Sequence, residues 1–262
     1  MQLNLYVICK YLLMSIDLND VLKKWENQQN ALVEKREERF RFIIDVIKNA
    51  YNGDIKILDL GCGPGSLAFR ISDSIKNSQI TAIDYDPVLL KIARSQNIRG
   101  KIDFIRGNLM ERNWLEYIKS KKFNAVVSTT ALHWIPEDQL SSLYKYIYDI
   151  LNKNGIFMDG DHFYSEEDAI LNPTFQKMKN SIIKQNIQNT GAMDWNQWWE
   201  YIEETGYFRP ELEERNRIYG KGDHDQHISM EKHMKFLKNA GFSYVRTPWR
   251  YLDNRVLIAS KQ

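Results

Sequence analysis

The sequence predicts an α/β fold: a doubly wound, mostly parallel sheet with a helical cap and a terminal antiparallel strand pair. Three observations carry this. Short apolar strand candidates alternate with helix candidates from Ile55 to Asp161; the alternation then stops for a largely helical stretch; and two β-patterned runs close the chain.

Residues 17–50 read as helical, with Leu32, Phe40, Ile43, Ile44 and Ile47 at helical intervals and Glu34, Arg36, Glu37, Glu38 and Arg39 on the other faces. The charged run "EKREERFRF" reads as a solvated face, and Gly53 is the expected stop. Strand candidates follow at 55–60, 79–84, 101–106, 123–128 and 155–161, with helix candidates at 66–76, 87–97, 112–120 and 137–152 between them. Asp86 and Pro87 form a cap-plus-first-residue pair for the second of these helices. In "NKNG", Gly155 is placed to end the last one in a left-handed cap. Such alternation indicates βαβ units and a parallel sheet covered on both faces. Residues 162–238 read as mostly helical, and 240–251 and 254–260 as a hairpin joined by an Asp-Asn turn. The expected organisation is N-terminal helices (1–50, part of the cap), a nucleotide-binding core (51–161), a helical cap insertion (162–238) and a C-terminal hairpin completing the sheet (239–262).

The bulk numbers exclude several classes. Charged residues are 27% and hydrophobic ones 43% of 262, an ordinary balance for a packed chain. A net charge of +2 gives no electrostatic case for a nucleic-acid partner, although a total does not speak to a local basic patch. Cys9 and Cys62 are too few for a disulfide framework or a zinc site, which suggests a cytoplasmic setting. The N-terminal apolar run is broken by Lys10 and is too short to span a bilayer, so residues 1–13 are expected to be an accessory helix or upstream start.

The chemistry centres on "DLGCGPGS". Gly61, Gly63 and Gly65 let the backbone turn sharply and approach a ligand, with the helix from Ser66 presenting free N–H groups; Cys62 lies inside this loop. Asp84 ends the second strand, where a carboxylate can accept both hydroxyls of a ribose. The loop lacks the Lys of a phosphate-binding P-loop and is one residue shorter than a dinucleotide G-x-G-x-x-G. Asp59 would repel a pyrophosphate and suits an ammonium. The ligand these features imply is an adenosine carrying a cationic amino-acid tail. A bare glycine turn can also be a simple strand-to-helix connection; Asp59, Asp84 and the βαβ context argue against that.

"LDLGCGPG", "AIDYDPVLL", "RGNLME", "STTALHWIP" and "LNKNGIF", taken in order, resemble the motifs of the S-adenosylmethionine-dependent methyltransferases with a Rossmann-like core. The resemblance covers residues 55–161 and extends through "AGF" and "RVLIASK". It implies seven strands with the last antiparallel, S-adenosylmethionine as cofactor with S-adenosylhomocysteine as product, and methyl transfer to a small-molecule acceptor. It assigns Gly61, Gly63 and Gly65 to the cofactor loop, Asp84 to the ribose, and Asn108, Leu109 and Tyr85 to the adenine; Thr129 joins this set, and Arg39 is expected at the cofactor carboxylate. The "NPPY" signature of amino-methylating nucleic-acid enzymes is absent where "STTA" stands.

Acceptor-side residues are expected beyond the fourth and fifth strands and in the cap. His133 is the candidate general base, with Trp134 as a pocket wall; the alternative is that His133 packs or caps the next helix. Asp161 and His162 follow the fifth strand, His162 as a second catalytic candidate and Asp161 as a substrate contact; a turn with a cap is the alternative. "GDHDQHISMEKH" adds His224 and His227 as substrate contacts, against a metal site with Asp161 or His162, or a solvated loop. No metal is expected. Trp195, Trp198 and Trp199 share a helical face and either pack the cap or line the pocket. The rival functions are a nicotinamide-dependent reductase and a non-catalytic S-adenosylmethionine-binding protein.

Overall fold

The structure, a computed structural model, describes residues 16–97, 100–220 and 226–262. Seven strands form one sheet: β1 (Ile55–Leu60), β2 (Ser78–Asp84), β3 (Ile102–Arg106), β4 (Phe123–Thr129), β5 (Leu151–His162), β6 (Tyr244–Tyr251) and β7 (Asn254–Ser260). Their order is β3-β2-β1-β4-β5-β7-β6. The first five run parallel, and β7 is antiparallel to both β5 and β6. The expected seven-stranded, mostly parallel sheet is therefore the one observed. The chain order reverses between β1 and β4, so the carboxyl ends of those strands flank the crevice where such sheets bind ligands.

The helices are α1 (Leu18–Leu32), α2 (Arg36–Ala50), α3 (Ser66–Ser74), α4 (Pro87–Gln96), α5 (Trp114–Tyr117), α6 (Glu137–Ile150), α7 (Asn172–Thr190), α8 (Trp195–Glu204), α9 (Arg209–Tyr219) and α10 (Met230–Ala240). Strand β1 is buried at five of its six positions because helices cover both faces. Phe40, Ile43 and Ile47 of α2 and Ile71 of α3 pack over Ile57 and Ala125 on one face. Leu143 and Ile147 of α6 and Leu237 of α10 pack against Phe157 and Leu257 on the other. A third cluster joins Val21 and Trp25 of α1, Val88 and Ile92 of α4, and Trp198 and Ile202 of α8. Of the two N-terminal helices, α1 meets the cap helices α7 and α8, whereas α2 lies on the sheet.

Local chemistry explains several boundaries and corrects others. Asp86 caps α4 by accepting from the N–H groups of Val88 (2.9 Å) and Leu89 (3.2 Å), as its sequence implied. Asp194 and Gln197 close a reciprocal capping box on α8. The stretch read as helical over 17–50 forms two helices, broken where Lys35 takes a left-handed φ of 56°. The candidate at 112–120 shrinks to one turn around the buried Trp114. Gly155 is not a left-handed cap: α6 ends at Ile150 and Asn154 carries the positive φ of 61°. Gly155 is needed instead because a Cβ there would meet the Asn152 carbonyl at 2.8 Å. The hairpin turns on Leu252 and Asp253, one residue before the expected Asp-Asn pair, with Asn254 already in β7. Residues 1–13, with Cys9, and the segment holding Asp223, His224 and Asp225 lie outside the described residues.

Candidate active site

The carboxyl ends of β1, β2 and β4 open into a cavity of about 620 Å³ that α1, α8 and α9 close from above. Its floor is the glycine loop. The N–H groups of Gly61 and Cys62 both donate to the Ile83 carbonyl, at 2.8 and 3.0 Å, which ties the loop to β2. Gly61 has φ 68°, and a Cβ there would run into that of Ala131, so both backbone shape and space demand glycine. Gly65, at φ 90°, lies against Phe69 and Phe104 and shapes the turn without reaching the cavity.

Gly63 N–H donates to Asp84 Oδ2 at 2.6 Å, while Asp84 Oδ1 accepts from the Asp86 N–H at 2.8 Å. These bonds aim the Asp84 carboxylate along the cavity edge. Burial, with the Asp86 charge second, pushes Asp84 up to about 6. Asp59 lies beneath the loop, with one carboxylate oxygen lacking a partner among the described residues. Burial and then the Asp84 charge lift it to about 7, although the Ala68 N–H opposes them. Tyr85, Asn108, Leu109 and Thr129 line the same half of the cavity. The Arg106 guanidinium sits 5.3 Å from the Tyr85 ring centre, and Asn108 Nδ2 donates to Glu111 at 2.9 Å.

His133, Trp134 and His162 line the opposite half. His133 stands in a short 3₁₀ turn, Leu132–Trp134, immediately after β4, with Nδ1 2.8 Å from Asp161 Oδ2. His162 ends β5, and its Nε2 is 3.0 Å from Glu34 Oε2. Both carboxylates are buried, with side chains 3% and 2% exposed. Burial pushes Asp161 up, but His133, His162 and Arg39 outweigh it and hold the carboxyl at about 2. Two residues back, burial and the Asp161 charge drive Asp159 well above the usual carboxylate range.

Several expected placements are corrected. Asp161 does not line the large cavity; it stands behind His133 and lines a separate cleft of about 40 Å³ with His227 and His233. His227 is likewise absent from the large cavity wall. Arg39 is fully buried under Gly160, where its Nη1 donates to Asn254 Oδ1 at 2.9 Å, and it does not reach the cavity. Arg36, one turn earlier, does. The run read as a solvated face therefore buries Glu34, Arg36 and Arg39. Among the described residues, no group of three His, Cys, Asp or Glu could hold a metal. The three tryptophans divide: Trp198 is buried against Trp25, and Trp195 and Trp199 line the cavity.

Sequence reasoning missed Trp25, Glu34, Arg36, Lys179, Arg215 and Tyr219. All but Glu34, which stands in the turn between α1 and α2, come from helices distant in the chain, and none stands in a motif that would have marked it. Arg36 and Arg70 hold Glu26 at about 2 against the opposing effect of burial, and Ser66, the first residue of α3, donates to Glu26 Oε1 at 2.5 Å. Arg215 stacks 3.7 Å over Trp199.

Comparison with known proteins agrees with this geometry. Residues 57–155 match the family model described as a methyltransferase domain. The carboxy-S-adenosyl-L-methionine synthase of Nautilia profundicola is 23% identical over 248 residues, covering 92% of each chain. A TehB-like S-adenosylmethionine-dependent methyltransferase from Corynebacterium glutamicum superposes with a TM-score of 0.53 at 14% identity, covering 94% of this chain and 98% of that one. The methyltransferase SibL gives a TM-score of 0.54 at 13% identity and covers 84% of this chain; the match takes in 55% of SibL, so this chain spans just over half of that longer protein. Both structures share the fold. The stretch that matches the methyltransferase-domain model thus holds the glycine loop and the acid after β2, and the chain as a whole shares the fold of S-adenosylmethionine-dependent methyltransferases.

Proposed function

We propose that the protein transfers a methyl group to a small-molecule acceptor held between the glycine loop and the aromatic cap, with His133 as general base. The observation that carries this is continuity: one cavity of about 620 Å³ runs from Gly61, Gly63 and Asp84 to His133, Trp134 and His162. A volume of that order takes a cofactor with a compact partner.

The residues fit S-adenosylmethionine. Gly61 and Gly63 bring bare backbone to the cavity wall, Asp84 is aimed for the ribose, and Asp59, buried beneath the loop and off the cavity wall, would set a carboxylate behind the loop for an ammonium. Tyr85, Asn108 and Leu109 would flank the adenine, with Cys62 and Thr129 completing the wall. When bound, the cofactor supplies a methyl group on a sulfonium, an already activated leaving group. The chain's own work is alignment, exclusion of water and removal of the acceptor proton. Trp134, Trp195, Trp199 and Tyr219 exclude water, and His133 stands where a proton acceptor is needed. The buried Cys62 thiol, unpaired among the described residues, suits work in the cytoplasm.

A second reading is favoured by the relative that matches along 92% of the chain: its name describes a synthase whose product is a carboxylated form of the cofactor. In that reading the same cavity holds the group that modifies the cofactor itself.

A thermal-shift panel of S-adenosylmethionine, S-adenosylhomocysteine and NAD(H) comes first. Stabilisation by the first two supports the assignment, and stabilisation by NAD(H) alone overturns it. Incubation with methyl-labelled S-adenosylmethionine and a panel of small acceptors, read by mass spectrometry of both partners, separates the two readings. Label on an acceptor with release of S-adenosylhomocysteine supports methyl transfer. With a carboxyl donor added to the panel, a cofactor that gains the mass of a carboxyl group while keeping its labelled carbon supports the second reading.

A further inference from the structure

We propose that Asp161 is a positioning residue that fixes His133 as the tautomer protonated at Nδ1, so that Nε2 is the basic nitrogen. The inference rests on the methyl-transfer reading only for the use to which that base is put.

The geometry is specific. Asp161 Oδ2 lies 2.8 Å from His133 Nδ1, and Asp161 Oδ1 accepts the backbone N–H of His162 at 2.8 Å. Each carboxylate oxygen is thus held by a different partner, and the group cannot swing without breaking one of them. A carboxylate accepts and does not donate, so the hydrogen in the 2.8 Å contact belongs to Nδ1. A neutral imidazole carries one ring proton, which leaves the lone pair on Nε2. His133 itself lines the large cavity, whereas Asp161 does not.

The surroundings keep the carboxylate charged. Arg39 of α2 faces Asp161 and Asp159 from beneath Gly160. His133 and His162 face Asp161 from the loop after β4 and from β5. Tyr144 of α6 and His233 of α10, bonded to each other at 2.6 Å, lie on a further side, where His227 shares the small cleft that Asp161 lines. Burial drives His233 down to about 4, so at neutral pH it adds no charge. Asp159 is lifted well above its ordinary range, which leaves Asp161 as the anion of the pair and Arg39 as its permanent counter-charge. The proton that Nε2 takes from an acceptor makes an imidazolium, which this anion stabilises until the proton passes to solvent. An amide at 161 could donate to Nδ1 and would turn Nε2 into a donor, with the proton in the wrong place for a base.

The test uses the full chain saturated with S-adenosylhomocysteine and labelled with ¹⁵N-histidine. Long-range ¹H–¹⁵N spectra report the tautomer of each of the five histidines, and His133→Gln assigns the signal. The expected wild-type His133 has Nδ1 protonated and Nε2 bare. Asp161→Asn should shift it to the Nε2-protonated form and lower its pKa, and Asp161→Glu should restore part of the wild-type pattern. An Nε2-protonated His133 in the wild type overturns the proposal, as does an unchanged His133 spectrum in Asp161→Asn. The wild-type spectrum decides even where the asparagine variant does not fold.

Turnover separates this inference from the function on which it rests. With a confirmed acceptor, Asp161→Asn should cut kcat by roughly 10²–10⁴-fold while KM for S-adenosylmethionine stays near wild type. The expected tautomer together with full activity in His133→Ala sinks the base assignment and leaves the positioning intact. The opposite result, an inactive His133→Ala with the wrong wild-type tautomer, sinks the positioning alone.

Discussion

Arg215 donates from Nε to Asp86 Oδ2 across 2.7 Å, tying α9 of the cap to the first turn of α4. Asp86 also caps α4 through its other oxygen, and its own N–H donates to Asp84. One ion pair therefore joins α9, over the cavity, to the carboxylate that ends β2.

Arg215→Ala should loosen both halves together. Asp86 has a side chain only 6% exposed, so its carboxylate would keep its helix-capping bonds but lose its counter-ion. The expected loss is roughly 1–3 kcal/mol of stability, with weaker binding of S-adenosylhomocysteine measured by calorimetry. Arg215→Lys should recover part of the stability but not the stacking on Trp199, because an ammonium is not planar. Unchanged melting and unchanged affinity in the alanine variant would show that the cap does not depend on this pair.

The glycine loop yields a graded prediction. Gly61→Ala combines a left-handed φ of 68° with a collision at Ala131, and should abolish measurable S-adenosylhomocysteine binding or cost more than about 2 kcal/mol of stability. Gly63→Ala has φ 55° but nothing nearer than Leu89 Cδ1 at 3.9 Å, so it should cost about 1 kcal/mol. Gly53→Ala, at φ 81° in open space far from the loop, controls for backbone strain alone. Equal affinity losses in all three would refute a ligand-facing role for Gly61.

Tryptophans one turn apart should behave differently. Trp198 is fully buried, its ring centre 4.8 Å from that of Trp25, so Trp198→Ala should cost roughly 3–5 kcal/mol. Trp195 lines the cavity and is 36% exposed, so Trp195→Ala should alter acceptor KM with little change in melting temperature. A large stability loss at Trp195 would count against a pocket-lining role.

The stability of the ligand-free protein should fall on both sides of a weakly acidic optimum. Asp59 and Asp84, lifted to about 7 and about 6, bind protons more tightly folded than unfolded, where an aspartate titrates near 3.9. What they contribute is complete below about pH 4 and is lost as pH rises through 6 and 7. Glu26 and Asp161, held at about 2, act oppositely: their contribution is present above about pH 4 and disappears as pH falls through 2. Chemical denaturation between pH 4 and 8 should therefore show Asp59→Asn gaining stability over wild type at pH 8, with the gap closing near pH 5. A parallel pair of curves would mean that Asp59 is not the group responsible.

The sequence by itself determined the parts that depend on neighbours along the chain. Strand and helix periods from Ile55 to His162 follow from local side-chain patterning, and the Asp86–Pro87 start of α4 from two adjacent residues. That Gly63 and Asp84 would meet was legible because the loop and the acid follow adjacent strands, β1 and β2, that pair directly. Only the tertiary structure decided the acceptor side. Glu34 and His162 stand 128 positions apart, Arg39 and Asn254 stand 215 apart, and no local pattern records such meetings. The charged run at 34–39 looked solvated because its residue types usually are. Its burial depends on β5 and β7 arriving to supply His162, Gly160 and Asn254 as partners. Asp161 likewise became the partner of His133 because β4 and β5 pair in parallel, with Thr129 beside Gly160, and so carry their following residues to the same edge of the sheet.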